Sequence, residues 1–499
     1  MKHLTVKHVK TERIPPDPKG AALGMQRIGY SLEEAVADLV DNSIDASASN
    51  ILVRFFRNAN SVTQVAFVDN GKGMDETTLH RAMQYGVQTE HHQSDLGKYG
   101  IGLKTASFSQ CQSLSVFSKQ KGLVHGRRWT LTRMQDDWRC EILDPEGCRL
   151  LFEQKWGGIS LEKSGTIVLW DDLDALSSGS SDVNKLVSKI ISKSLPVDLG
   201  IRFHRFLSAG TVSLMCDVFN HDGGDIAPVP ILPLDPFDYG KTGRNGYPIS
   251  FHVEVPGRGK LCMAAHIWPP KSEKPEYKLG GGRVAERQGF YFYRNDRLIQ
   301  VGGWNGVRES DSEPHLSLAR VLVDLPPSLD ATFGLLIQKS KVVPPPSFKS
   351  LVKTARAGNT SFDDYIAAAD ESYRASSTHV APQIMVPGKG LPVSLQRKLG
   401  QILSAGENHV REIQFEWKEM DSSLFFEADP GNDVVYLNLV YRPLLAEKRS
   451  HSSSDIPLVK SLLFLLVSPH LQQERRSKRS DDWHARCNQI LIAAIRAMQ

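Results

Sequence analysis

Paired cysteines are missing from this sequence. Its six cysteines (Cys111, Cys140, Cys148, Cys216, Cys262 and Cys487) are scattered, and none stands in a CxxC pair. That spacing argues against a structural zinc site and against a disulfide framework, so free thiols in a reducing compartment are expected. A long apolar run is missing as well. The greasiest stretch, Leu462 to Val467 in SLLFLLVSPH, is far below the roughly 20 residues that cross a bilayer. The opening MKHLTVKHVKTERIPPDP is charged and lacks the apolar centre of a secretory signal. The expectation is a cytoplasmic protein with no membrane partner. An excess of one charge is also absent: 60 Lys and Arg face 56 Asp and Glu, a net charge of +4. Near-balance neither demands nor excludes a nucleic-acid partner, because a local basic face can hide in a neutral total. No internal repeat is visible.

What is present is enough chain for several cores. At 499 residues the expectation is two to four domains. Residues 1–180 alternate helical and strand patterns and carry most of the chemical punctuation. A helical stretch, Val183 to Ser194, leads into strand-like runs: VSLMCDVF, ISFHVEV, CMAAHIW, GFYFYRN and ARVLVDL. Three prolines, Pro344 to Pro346, close that region, which gives a second domain over 181–346. Residues 347–378 read as a helical linker and 379–499 as a small mixed domain for a partner or DNA. In that domain Leu424 to Leu439 reads as a hairpin turning at Asp429-Pro430-Gly431. Its last helix is expected to present Trp483, Cys487, Ile490, Leu491, Ala494 and Ile495 on one face. Trp268 to Gln288, rich in Pro, Gly and charge, reads as a mobile loop whose cations either face a polyanion or are simply solvated.

Three segments carry the chemistry. Ser31 to Ala46 reads as a helix opened by a Ser31/Glu34 capping box, with Val36, Leu39, Val40 and Ile44 inward. Glu34, Asp38, Asn42 and Asp45 recur at helical spacing on another face. Acids so stacked repel unless a cation sits nearby; read alone, they are more simply a solvated face. Next, Val65 to Val68 is a short buried strand running into Asp69-Asn70-Gly71-Lys72-Gly73-Met74. An acid at a strand end, followed by glycines that allow close backbone approach, suits the edge of a planar base, although DNG is also a plain turn. Finally, Gly97-Lys98-Tyr99-Gly100-Ile101-Gly102-Leu103-Lys104 places glycines and lysines before a helical run, a phosphate cradle in type. A lone GxxGxG is weak evidence. The ordered set is specific, with Asp69 27 residues after Asn42 and Gly97 28 residues after Asp69.

DLVDNSIDA, DNGKGM and GKYGIGLK resemble three boxes of the Bergerat ATP-binding fold, the GHKL class of type II topoisomerases, MutL, ninety-kilodalton heat-shock chaperones, histidine kinases and MORC proteins. Gly165-Thr166-Ile167-Val168-Leu169 resembles a fourth. The spelling GKYGIGLK is most similar to MORC proteins. The resemblance covers residues 25–175 and extends loosely to about 345. It implies an α+β fold: a Bergerat α/β sandwich, then a transducer-like α/β domain (GFYFYRNDRLIQVGGW resembles its strand-turn-strand), then the small C-terminal domain. It implies ATP and Mg²⁺ as cofactors, with Asn42 on the metal. Asp69 accepts from the adenine amino group with Thr166 in support, and Gly71, Gly73 and Met74 belong to the base pocket. Residues 85–98 form a lid, and Gly97 to Lys104 hold the phosphates. The family's water-activating Glu is replaced here by Asp38, with Glu34 one turn earlier as the alternative. Lys339, or else Lys341, reaches back to the γ-phosphate; the alternative is surface lysines ending a strand.

The resemblance implies slow ATP hydrolysis driving ATP-gated homodimerisation. The expected partners are duplex DNA and operon-encoded proteins in a bacterial restriction-modification or anti-phage setting. Histidine kinases are disfavoured, since no phosphoacceptor helix precedes residue 31, and no MutL-type endonuclease motif follows residue 350. Two alternatives stay open: a chaperone-like remodelling ATPase, and a nucleotide-sensing scaffold with negligible hydrolysis. The run Arg475-Arg476-Ser477-Lys478-Arg479 offers charge to a phosphate backbone, or is a solvated helix end.

Overall fold

The computed structural model describes residues 17–58, 61–86, 96, 102–136, 138–173, 183–330, 332–335, 339, 341–376, 384–404, 410–429, 432–446, 452–471 and 478–497. The chain divides into two compact units, Met1–Ser377 and Thr378–Gln499. The architecture is α+β.

The first sheet of the larger unit is built from β1 (Asn50–Arg57), β2 (Val62–Asp69), β3 (Cys111–Gln120), β4 (Leu123–Thr130), β5 (Glu141–Ile142), β6 (Gly165–Leu173), β7 (Ser213–Asn220) and β8 (Ile226–Pro230). Their order is β5-β4-β3-β6-β2-β1-β7-β8. Alternation with a period of two gives the sheet two apolar faces. Val65 and Phe67 of β2 enter one core and Ala66 and Val68 the other. On the first face lie α1 (Pro18–Gln26), α2 (Leu32–Asp45), α3 (Glu76–Met83) and α4 (Gly102–Phe108), with the helical stretch from Val183 to Ser208. Cys148 and Phe152 of the Pro145–Phe152 helix cover the second face with Trp156.

β7 corrects the reading of VSLMCDVF as the opening of a second region. It pairs in parallel with β1, Ile51 opposite Leu214 and Val53 opposite Cys216, so the first sheet continues well past residue 180. The cause is the β1 border, whose Ile51, Val53 and Phe55 are all buried and whose core Leu214, Cys216 and Val218 complete.

The second sheet uses β9 (Ile249–Val255), β10 (Gly259–Ile267), β11 (Gly289–Arg294), β12 (Arg297–Gln300) and β13 (Ala319–Asp324). Past the two-stranded pair β14 (Gly334–Leu335) and β15 (Val342–Val343), it is extended by β16 (Arg356–Ala357) and β17 (Thr360–Ser361), in the order β12-β11-β13-β10-β9-β16-β17. Between β11 and β12 both turn residues, Asn295 and Asp296, have positive φ (47° and 62°), as a two-residue hairpin with right-handed twist requires. The expected linker 347–378 does contain helices, Phe348–Thr354 and Phe362–Ser376. It is no spacer: Phe348, Val352, Phe362 and Tyr365 are buried in the second core. The expected mobile loop before Gln288 is likewise anchored. Tyr277 and Leu279 are buried, and Arg320 donates to the carbonyls of Glu276 (3.0 Å) and Tyr277 (2.5 Å).

The smaller unit holds β18 (Ile384–Pro387), β19 (Val410–Lys418), β20 (Phe426–Asp429) and β21 (Val434–Asn438), ordered β18-β19-β21-β20. β20 and β21 form the expected antiparallel hairpin. Its last helix, Lys478–Arg496, buries Cys487, Ile492 and Ile495 and exposes Trp483 and Ile490, so the buried face is rotated from the expected one. Arg475, Arg476 and Ser477 lie outside the described residues. Among the described residues no helix is long and apolar enough to cross a membrane.

Candidate functional site

The start of α2 follows from its sequence. The Ser31 hydroxyl accepts from the Glu34 N–H (3.2 Å), and the Glu34 carboxylate accepts from the Ser31 N–H (3.0 Å). Glu34 is thereby committed to the cap. One turn on, Asp38 is 2% exposed. Tyr30 donates its hydroxyl hydrogen to Asp38 Oδ2 at 3.1 Å. Asp38 Oδ1 lies 3.0 Å from Lys339 Nζ, an ion-pair distance outside hydrogen-bonding geometry. Asn42 is exposed, and Asp45 accepts from the Leu96 N–H at 2.8 Å. At Asp38 the acidic stripe is therefore not a solvated face. A protein cation, Lys339, sits against it.

Sequence reasoning missed Asp41. Fully buried, it accepts from Arg297 Nε on Oδ1 and from Lys339 Nζ on Oδ2, each at 2.9 Å. Burial alone would raise its carboxyl, but the Arg297 and Lys339 charges outweigh that and hold it below the usual carboxylate range. The available signal was an acid one residue before Asn42, beside apolar Leu39 and Val40, where it must be buried and so paired. Lys339 answers it: burial would lower its ammonium, and Asp41 and Asp38 keep it raised. Lys339 also holds a left-handed backbone, φ 47°, uncommon for a residue with a side chain. Lys341 is exposed and lines a cavity of about 550 Å³ with Glu33, Arg202 and Arg287.

Asp69 closes β2 and is 6% exposed. Its Oδ2 accepts from Ser43 Oγ at 3.0 Å and its Oδ1 from the Gly71 N–H at 2.9 Å. Burial pushes its carboxyl up to about 6, against the lowering effect of the Gly71, Ser43 and Thr166 hydrogen bonds. Thr166 sits opposite Asp69 in the β2–β6 ladder, and its hydroxyl is 3.1 Å from Ser118 Oγ. Ser118 in turn accepts from the Met74 N–H at 2.8 Å. A side chain at Gly73 (φ 64°) would put its Cβ 2.0 Å from the Lys119 carbonyl. One at Gly71 would meet Ala46 O at 2.8 Å, and one at Gly102 would meet Asp38 Oδ2 at 2.9 Å.

Asp38, Asp41, Arg297 and Lys339 are thus gathered at α2, with Gly102 against Asp38. Asp69, Gly71, Gly73, Met74 and Thr166 are gathered at the end of β2. Leu103 packs partly buried against the first core. Lys104, expected among the phosphate contacts, is buried with its ammonium on the carbonyls of Ala82 (2.6 Å) and Gln84 (2.7 Å) at the end of α3. Burial pulls it down to about 8. Gly97, Lys98, Tyr99, Gly100 and Ile101, like most of the expected lid, lie outside the described residues.

Chemically, Asp69 offers a buried carboxylate acceptor beside two glycines packed directly against backbone. The residues also fit a magnesium ion. Asn42 presents an exposed carboxamide that takes no side-chain hydrogen bond among the described residues. No cluster of three or more His, Cys, Asp or Glu that could hold a metal occurs among them. The Asn42 amide oxygen is of the hard type that Mg²⁺ accepts as a ligand.

Residues 30–157 match the model of the histidine kinase-, DNA gyrase B- and HSP90-like ATPases. Protein MICRORCHIDIA 6 of Arabidopsis thaliana is 31% identical over 103 residues, 20% of this chain and 15% of that protein. Protein MICRORCHIDIA 1 of the same plant is 30% identical over 89 residues, 17% and 14% of the two chains. ATPase MORC2B of Mus musculus is 30% identical over 115 residues, 22% and 11%. The chain thus spans 11–15% of the length of these relatives. Residues 30–157, which carry α2, β1 to β5 and the helices between them, are thus similar to the histidine kinase-, DNA gyrase B- and HSP90-like ATPases, and part of the chain is similar to MORC proteins.

Proposed function

We propose that this protein binds ATP with Mg²⁺, hydrolyses it slowly, and uses the triphosphate state to drive dimerisation of its ATPase units on duplex DNA. The observation that carries the reading is Asp69. A carboxylate this deeply buried, hydrogen-bonded by Ser43 and Gly71 and flanked by glycines that tolerate no side chain, is suited to accept from the adenine amino group. Gly71, Gly73, Met74 and Thr166 frame the base, and Asn42 would hold a magnesium ion, which would supply positive charge to offset that of the phosphates. The glycine-rich stretch from Gly97 to Gly102 is assigned the phosphates by resemblance.

Asp38 is the general base. Aspartate is shorter than glutamate by one methylene, roughly 1.5 Å of reach, and general-base catalysis is sensitive to hydrogen-bond geometry, so turnover is slow. Lys339 is the γ-phosphate sensor, because it comes from the second sheet's side of the larger unit and touches α2. DNA as the partner, and a restriction-modification or anti-phage setting with operon-encoded proteins, rest on resemblance to the family. Steady-state ATPase rates with and without duplex DNA test the reading. DNA-stimulated, magnesium-dependent turnover supports it; turnover stimulated by unfolded protein and not by DNA favours a remodelling ATPase.

One observation favours a second reading, a nucleotide-responsive scaffold. Both oxygens of Asp38 have neighbours, Tyr30 on one and Lys339 on the other. If Lys339 stays there when nucleotide binds, the base stays occupied. Tight ATP binding without product in a single-turnover experiment would select this reading.

A further inference from the structure

Asp41 has two cationic partners, and they are not equivalent. Arg297 is fixed from several sides. Its Nη1 donates to the carbonyls of Leu298 (2.9 Å) and Lys339 (3.3 Å), its guanidinium carbon lies 5.2 Å from the Phe203 ring centre, and its side chain is 1% exposed. Lys339 is 11% exposed and shared between two aspartates, on a left-handed backbone that L-residues adopt at a cost. The informative atom is Arg297 Nη2. It is buried and, among the described residues, has no hydrogen-bond acceptor. A buried donor left without a partner is uncommon and calls for an explanation. Nη2 lies on the same edge of the planar guanidinium as Nε, and Nε already holds Asp41 Oδ1. That edge is the one that grips both oxygens of a carboxylate, as Arg54 does with Asp217 through Nε (2.9 Å) and Nη2 (2.7 Å) in this chain. In Asp41 the second oxygen is taken by Lys339 instead.

We infer that Arg297 is a specificity-determining positioning residue of the nucleotide site: its reserve donor takes over Asp41 when Lys339 leaves, so that Lys339 can pass to the terminal phosphate of a triphosphate. Without that substitution, moving Lys339 would strand a buried carboxylate oxygen, and the penalty would fall on triphosphate binding alone. A diphosphate does not draw Lys339 away and is indifferent to Arg297. The inference rests on the nucleotide reading above and adds the residue that makes the site prefer three phosphates to two.

The test compares dissociation constants for magnesium ADP and for magnesium with a non-hydrolysable ATP analogue, on the full chain. In Arg297→Lys the positive charge remains and the planar fork is lost. The ratio of ADP to analogue dissociation constants should fall about tenfold, with ADP binding little changed. A purely structural role would weaken both ligands together and leave the ratio alone, which would overturn the inference. Should Arg297→Lys fail to fold, the double variant Arg297→Gln with Asp41→Asn removes both buried charges. Its ratio should then lie within about threefold of wild type, because no carboxylate is left to strand. A collapsed ratio in the double variant would overturn the inference, as would wild type that binds both nucleotides equally. Wild type that binds neither would instead remove the nucleotide reading itself.

Discussion

The Lys339 ammonium stands 3.0 Å from Asp38 Oδ1, so the γ-phosphate sensor of the proposed mechanism rests on its general base. A charge in that position can respond to a third phosphate only by moving off α2. The residues proposed to meet adenine and magnesium belong to the first sheet and its helices, so they should serve either arrangement similarly. A ligand shifts such an equilibrium only by its differential interaction with the two states.

Lys339→Ala is therefore expected to weaken a triphosphate analogue by about ten- to a hundredfold, the worth of a charge-assisted hydrogen bond of roughly 1.5–3 kcal/mol, with ADP little affected. Analogue-driven dimerisation, followed by light scattering, should fall further than binding does. Lys341→Ala serves as control, since Lys341 is exposed in the neighbouring cavity. Equal responses in wild type and Lys339→Ala would remove Lys339 as the sensor and bring Lys341 forward.

Asp69 ties both affinity and stability to pH. Only its ionised form accepts on both oxygens, and burial has lifted it to about 6. Nucleotide affinity should weaken as pH falls through about 6, by about tenfold at pH 5. Asp69→Asn should bind about 1–3 kcal/mol more weakly and lack this component of the pH profile, which separates it from titration of the phosphates. The stability sign is the reverse of the usual carboxylate case. With the folded value above the unfolded one, the folded state holds the extra proton between about pH 4 and 6. This group's contribution is thus fully present below about 4 and lost as pH rises through about 6. Parallel pH profiles for wild type and Asp69→Asn would count against the site.

Asp38→Ala should lower turnover by about 10²–10⁴-fold while magnesium ATP binding survives, the usual reach of a general base. Glu34→Ala should keep most activity and lose about 0.5–1 kcal/mol of stability, because its carboxylate closes the cap of α2. Single-turnover rates and thermal melts on the same preparations separate the two. A dead Glu34 variant that melts like wild type would move the base one turn back.

Two glycines should respond differently to alanine. At Gly73 the positive φ and a Cβ 2.0 Å from the Lys119 carbonyl should cost at least about 1–2 kcal/mol of stability and abolish binding. At Gly102 the added Cβ meets only the end of the Asp38 side chain, at 2.9 Å. Gly102→Ala should fold, bind nucleotide and turn over at least about tenfold more slowly, since a displaced base loses its hydrogen-bond geometry. Normal turnover in a folded Gly102→Ala protein would argue that Asp38 is not where water is activated.

The local features of the site were readable because short-range physics makes them. The Ser31/Glu34 cap, the apolar run ending in Asp69 and the left-handed turn at Gly73 are each set by residues close in the chain. What was not readable depends on distant partners. Asp41 looked like one more acid beside Asn42, and only Arg297, 256 residues on, and Lys339 show why it is buried. Lys104 stood in a phosphate-binding spelling, yet the carbonyls ending α3 claim its ammonium. The segment after the three prolines reads as a helical linker, and its helices are there, but packed into the second core. Phe348, Phe362 and Tyr365 are core residues at helical spacing, and that spacing is the guide to the packing.

The parallel seating of β7 on β1 bears on how this protein can be cut into pieces. A fragment ending near residue 180 would look complete by its motifs and would carry α2, Asp69 and Thr166. It would also strip one border of the sheet, leaving the amide and carbonyl groups of β1 that face β7 without partners along an apolar rim. Such a rim recruits strands from other molecules. Self-association of that fragment would then mimic nucleotide-driven pairing without any nucleotide. The shortest N-terminal piece whose oligomeric state means anything runs through β8, to Pro230 or beyond.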